Sequence, residues 1–86
     1  MSEPDPLPFD GLIPDAELDV RGFQCPLPVL KTRKALERLP SGALMRVLAS
    51  DPAARIDMPH YCTGAGHTLL DARMDGATLV FLIRKG

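Results

Sequence analysis

The chain is expected to fold as a two-layer α/β (α+β) sandwich. Its four-stranded mixed sheet should carry two helices on one face, in the order β-α-β-α-β-β. Three observations predict this. Strand-like apolar runs alternate with helical patterns along the middle of the chain. Two further strand-like runs flank Asp75-Gly76, a strong hairpin signal. With 86 residues and 45% hydrophobic content, the chain can build one small core and one domain.

Taken in order, residues 1–15 hold four prolines, a glycine and four acids, and read as a flexible acidic arm outside the fold. The folded domain is expected over residues 16–86. Ala16–Val20 alternates as a first strand and closes at Arg21-Gly22. A helix is predicted from Pro26 to about Leu39, ended by Pro40-Ser41-Gly42. Ala43–Ala49 reads as a largely buried strand. Asp51-Pro52 opens a turn, expected to run to Ile56. Pro59 then stands inside a helical pattern, where a proline loses a hydrogen bond and clashes with the turn before it. The second helix is therefore expected to be short, starting near Pro59 and ending around Gly64–Gly66. Leu69–Met74 and Thr78–Arg84 complete the sheet.

Composition excludes some functions. No run approaches the ~18 apolar residues of a membrane span. The formal net charge of −1 argues against a nucleic-acid binder, since phosphate binding is led by a strong positive field. That near-zero charge is unevenly spread. Residues 1–19 carry six acids and no base, whereas residues 20–38 hold Arg21, Lys31, Arg33, Lys34 and Arg38 against Glu37. This is either a solvated tail followed by a solvated helix, or a basic docking face placed just after Cys25. Two distant cysteines, Cys25 and Cys62, suit free thiols in a reducing compartment better than a disulfide scaffold. No export signal is visible, so a cytoplasmic location is expected.

Cys25 lies in the most informative stretch, Gly22-Phe23-Gln24-Cys25-Pro26-Leu27-Pro28. It falls at the expected N-cap of the first helix, where unpaired N–H groups and a positive macrodipole favour a thiolate. Pro26 and Pro28, at N1 and N3, would stiffen the entry at no cost in helix bonds. On these residues alone, Cys25 is either a nucleophile or a buried cysteine beside a proline-started helix. At 100° per residue, Val29, Thr32, Ala35, Leu36 and Leu39 share one face and should pack on the sheet. Leu30 falls among the cations of the other face, as a contact point for a partner. Cys62 reads as buried. His60 and His67 read as a surface and a packing histidine. The spacings of the cysteines and histidines fit no zinc ligand pair, so no metal is expected.

The Cys25-Pro26-Leu27-Pro28 stretch resembles the CPxP motif of the TusA/SirA/YedF-like family of sulfur-transfer proteins. The resemblance continues through Arg33-Lys34, Asp51-Pro52-Ala53, Asp57-Met58-Pro59…Cys62, His67, Asp75-Gly76 and Leu82-Ile83-Arg84-Lys85-Gly86. It implies a sulfurtransferase without a cofactor. Cys25 would accept sulfane sulfur as a persulfide from a cysteine desulfurase or another sulfurtransferase. It would pass that sulfur to a downstream relay protein, toward tRNA 2-thiouridine or a related pathway. Arg33 and Asp51 carry over as partner-docking residues. Leu27, where an acidic residue is usual, and Gln24, where a basic one is common, depart from the pattern and bear on the choice of partner. The competing reading is a regulatory module that binds a partner through the basic helix face and makes no use of the thiol.

Overall fold

A computed structural model describes residues 13–86, and the first twelve residues, most of the expected arm, lie outside the described part. The arm's last residue, Asp15, is tied to the sheet. Its N–H donates to the Leu44 carbonyl at 2.8 Å, and its carboxylate accepts the Leu44 N–H at 2.8 Å.

The elements are β1 (Ala16–Val20), α1 (Leu27–Glu37), β2 (Leu44–Ala49), α2 (Ala54–Ala65), β3 (Thr68–Asp75) and β4 (Thr78–Arg84). The sheet order is β1-β2-β4-β3. β1 runs parallel to β2, and the other two pairs are antiparallel. A parallel pair needs a crossover, and α1 supplies it. Alternation along the strands sends Met45, Val47 and Ala49 of β2 and Leu79, Phe81 and Ile83 of β4 to one face. There they meet Val20, Leu36, Ala54, Met58 and Cys62 in a single buried cluster. The opposite face carries polar pairs such as Glu17–Arg46, in register across β1 and β2 and bonded at 2.6 Å.

The two-layer architecture and the order of the six elements are as expected, and β1 and β4 have the bounds the sequence gives them. The hairpin loop is Gly76-Ala77, with Asp75 paired to Thr78 as the last strand residue. Gly76 has φ of 64°, as the first central position of a type II′ turn requires.

Three expectations about the helices fail. First, α1 stops at Glu37 rather than at about Leu39. Second, α1 starts one residue late. Its N-cap is Pro26, and Leu27 and Pro28 are the first two helical residues. The Leu27 N–H, the first available after Pro26, donates to the Gln24 carbonyl at 2.8 Å, closing a turn around Cys25-Pro26 before the helix begins. The Cys25–Pro26 peptide bond in that turn is cis. Third, α2 begins at Ala54, not near Pro59, and passes through the proline. Ala54, Met58 and Cys62, spaced by four, make one buried stripe against the sheet. Packing of that stripe outweighs the single bond lost at Pro59. Gly66, with φ of 83°, ends the helix in the left-handed conformation that favours glycine.

Candidate functional site

The site forms where the β1–α1 and β2–α2 loops meet at one end of the sheet. Two hydrogen bonds join the loops. The Gly22 N–H donates to Ser50 Oγ at 2.8 Å, and the Cys25 N–H donates to Asp51 Oδ2 at 2.6 Å. Asp51 is itself fixed, its other oxygen accepting the Ala53 N–H at 3.1 Å. These two N–H bonds, that of Cys25 first, hold its carboxyl below the usual carboxylate range. Asp51, expected as a docking residue, therefore holds the cysteine backbone in place.

Cys25 is exposed and unpaired. Its Sγ donates to Asp57 Oδ2 at 3.1 Å. The narrow cleft around it is lined by Pro26, Pro28, Val29, Asp51, Ala54 and Asp57. Pro28 is buried and anchors the start of α1. The expected N-cap thiolate is not what the structure shows. Cys25 lies one residue before the cap, and two carboxylates face it. The thiol is pushed above its ordinary value, first by the hydrogen bond to Asp57, then by burial, then by the charges of Asp57 and Asp51. Each of these disfavours the thiolate relative to the hydrogen-bonded thiol.

Cys62 has the opposite setting. It is 1% exposed in the core, and burial pushes its thiol up to about 11. A buried thiol is inert.

Leu30 and Arg33 do not belong to the Cys25 cleft. They line a groove of about 550 Å³ between α1 and α2, together with Tyr61, His67 and Lys85 among others. Leu30 and Leu27 are both 44% exposed. Arg33 forms an exposed ion pair with Glu37 at 3.6 Å, and Lys31 Nζ sits 4.5 Å over the Phe23 ring. His60 is exposed, while His67 accepts the Gly86 N–H at 3.0 Å and faces the Tyr61 hydroxyl at 3.4 Å.

Asp57 is the site residue that sequence reasoning missed. A turn ending at Ile56 and a helix starting near Pro59 leave Asp57 in neither element. The spacing of Ala54, Met58 and Cys62 was the signal that would have put it on the first turn of a helix. Thr32 is the other surprise, because its hydroxyl is buried without a partner among the described residues.

Known proteins resemble this chain over nearly its whole domain. The model of the family described as "Sulfurtransferase TusA" matches residues 16–85. A "Sulfur carrier protein TusA" of Pseudomonas syringae pv. syringae is 40% identical over 78 residues, covering 91% of this chain and 93% of that protein. The protein of the same description from Pseudomonas fluorescens is 38% identical over 85 residues, covering 99% of this chain and 96% of that one. Among solved structures, the SirA-like protein of Desulfitobacterium hafniense superposes with a TM-score of 0.71 at 26% identity. That match covers 83% of this chain and 97% of that one.

Proposed function

The chain belongs to the TusA sulfurtransferase family, and on that premise we propose that it is a sulfur carrier whose cargo rides on Cys25 as a persulfide. The observation that carries this reading is the contrast between one exposed thiol, anchored through its backbone to Asp51, and one thiol sealed in the core. Sulfur moves between proteins by attack of a sulfur nucleophile on a sulfur–sulfur bond, which needs access along the bond axis. Cys25 offers that access. Two free thiols with no pairing between them favour a reducing cytoplasm.

The donor in this reading is a cysteine desulfurase or another sulfurtransferase, and the acceptor is a thiol of a downstream relay protein. The end use is tRNA 2-thiouridine or a related sulfur pathway. Pro26 and Pro28 stiffen the approach to the sulfur. Leu30 and Arg33, on the neighbouring groove, serve as docking residues. Exposed apolar side chains ringed by cations suit a partner with an apolar spot in an acidic rim.

The test is incubation with a cysteine desulfurase and cysteine, followed by intact mass measurement. The wild type and Cys62→Ser should gain one sulfur atom, and Cys25→Ser should gain none. Loading that follows Cys62 instead would overturn the assignment. A module that merely docks through α1 would take up no sulfur and would bind its partner equally well as Cys25→Ser.

A further inference from the structure

We propose that Asp57 is a catalytic residue of sulfur transfer, taking the Cys25 proton as sulfur arrives and protonating Cys25 Sγ as sulfur leaves. This deepens the persulfide reading above and rests on it. The geometry is specific. The thiol and the carboxylate meet at 3.1 Å although they are separated by 32 residues of chain. Both ends are held by separate means. Asp51 fixes the Cys25 backbone. Asp57 rides on α2, where Ala54 on one side and Met58 on the other are locked into the core.

Apart from standing as the acid in the first turn of α2, at the positive end of the helix dipole, the Asp57 side chain has one recorded contact. α2 has no side-chain cap bond, and Cys25 Sγ is the one hydrogen-bond partner of the Asp57 carboxylate among the described residues. The remaining cleft side chains are those of proline, valine and alanine, apart from Asp51. The Asp51 oxygens are already engaged by the Cys25 and Ala53 N–H groups. No other side chain lining the cleft is free to move a proton at this sulfur.

The chemistry balances without an oxidant or reductant. In acceptance, the Cys25 S–H proton passes to Asp57 as Sγ attacks the outer sulfur of a donor persulfide, R–S–SH. The bond between the donor's two sulfurs breaks, and its electron pair stays on the inner one. That thiolate takes the proton from Asp57, leaving R–SH and Cys25–S–SH. Cys25 Sγ is thereby oxidised from thiol to persulfide level, and the inner donor sulfur is reduced from persulfide to thiol. In delivery the acceptor thiol, R′–SH, passes its proton to Asp57 as it attacks the outer sulfur of Cys25–S–SH, forming R′–S–SH. The sulfur–sulfur electron pair then returns to Cys25 Sγ, which is protonated from Asp57. A resting thiol that resists ionisation is a poor leaving group unless a proton is supplied to it. Asp57 is placed to supply one.

The test compares wild type, Asp57→Asn and Asp57→Glu, using glutathione persulfide as donor and intact mass as readout. Alkylation of Cys25 by iodoacetamide is followed in parallel as a function of pH. The charged groups facing the sulfur are Asp57 from α2 and Asp51 from the β2–α2 loop, while α1 presents only Pro26, Pro28 and Val29. Asp57→Asn is expected to slow loading on the order of 100-fold, the low end for a positioned acid–base group. It should speed alkylation several-fold near neutral pH and move its midpoint down, because the negative charge beside the sulfur is gone. Asp57→Glu should restore most of the loading. Opposite signs for the two reactions mark a proton carrier. An electrostatic bystander would speed both, and a helix-dipole residue would lower the melting temperature while leaving loading unchanged; either result overturns the proposal. Failure of the wild type to load on Cys25 would instead overturn the persulfide reading itself.

Discussion

Cys25 and Cys62 carry the same functional group, and both are pushed toward the thiol form, but by different means. Cys62 is desolvated by the stripe it shares with Ala54 and Met58. Cys25 stands in solvent and is held by a carboxylate. Burial cannot be undone without opening the core. A hydrogen bond to the half-buried Asp57 carboxylate at the cleft can be broken, or its proton passed on, by a docking partner. The same upward shift thus has a core cause at Cys62 and a surface cause, a carboxylate hydrogen bond, at Cys25.

The largest effect expected from this contrast is in labelling. With iodoacetamide at about pH 8, Cys25 should react in the folded protein, and Cys62 at least about 100-fold more slowly, until denaturant is added. The Cys25 rate should keep rising with pH through a midpoint above the ordinary cysteine value, since its carboxylate neighbours disfavour the thiolate. A midpoint below that value, measured by mass-resolved alkylation, would break the comparison.

Next in size comes the core under α2. Met58→Ala should cost about 2–5 kcal/mol, because Met58 is fully buried. Ile56→Ala on the same helix should change stability by less than about 0.5 kcal/mol, because Ile56 is 76% exposed. Urea denaturation of the two variants checks both. Cys62→Ser should cost about 1–3 kcal/mol, by burying a hydroxyl in an apolar site, and should leave sulfur loading unchanged. The smallest effect has the opposite sign. Thr32→Val should raise stability by up to about 1 kcal/mol, because it removes a buried hydroxyl that has no partner among the described residues.

Much of this was legible in the sequence, and what was missed has a physical pattern. β1, β2 and β4 follow from local apolar runs, and the apolar face of α1 follows from its period. The start of α2 was hidden because Pro59 weighs heavily as a local rule, whereas the burial of Ala54, Met58 and Cys62 in the shared core is a tertiary effect. The same reason hid the chemistry of Cys25. Local reading saw prolines, a helix start and a dipole, all favouring a thiolate. It could not see a carboxylate brought to the sulfur by a helix whose first turn it had read as a loop. The exposed cysteine of the motif is a local feature; the carboxylate facing it is not.

The central claim is that the exposed, gated thiol carries the sulfur. After loading with a cysteine desulfurase and cysteine, the protein is alkylated and digested with trypsin, which separates the two cysteines. Cys25 falls in the peptide of residues 22–31 and Cys62 in that of residues 56–73. The account predicts one extra sulfur atom on the 22–31 peptide, released by reductant, and none on the other. Extra sulfur on the 56–73 peptide, or on neither, would contradict it.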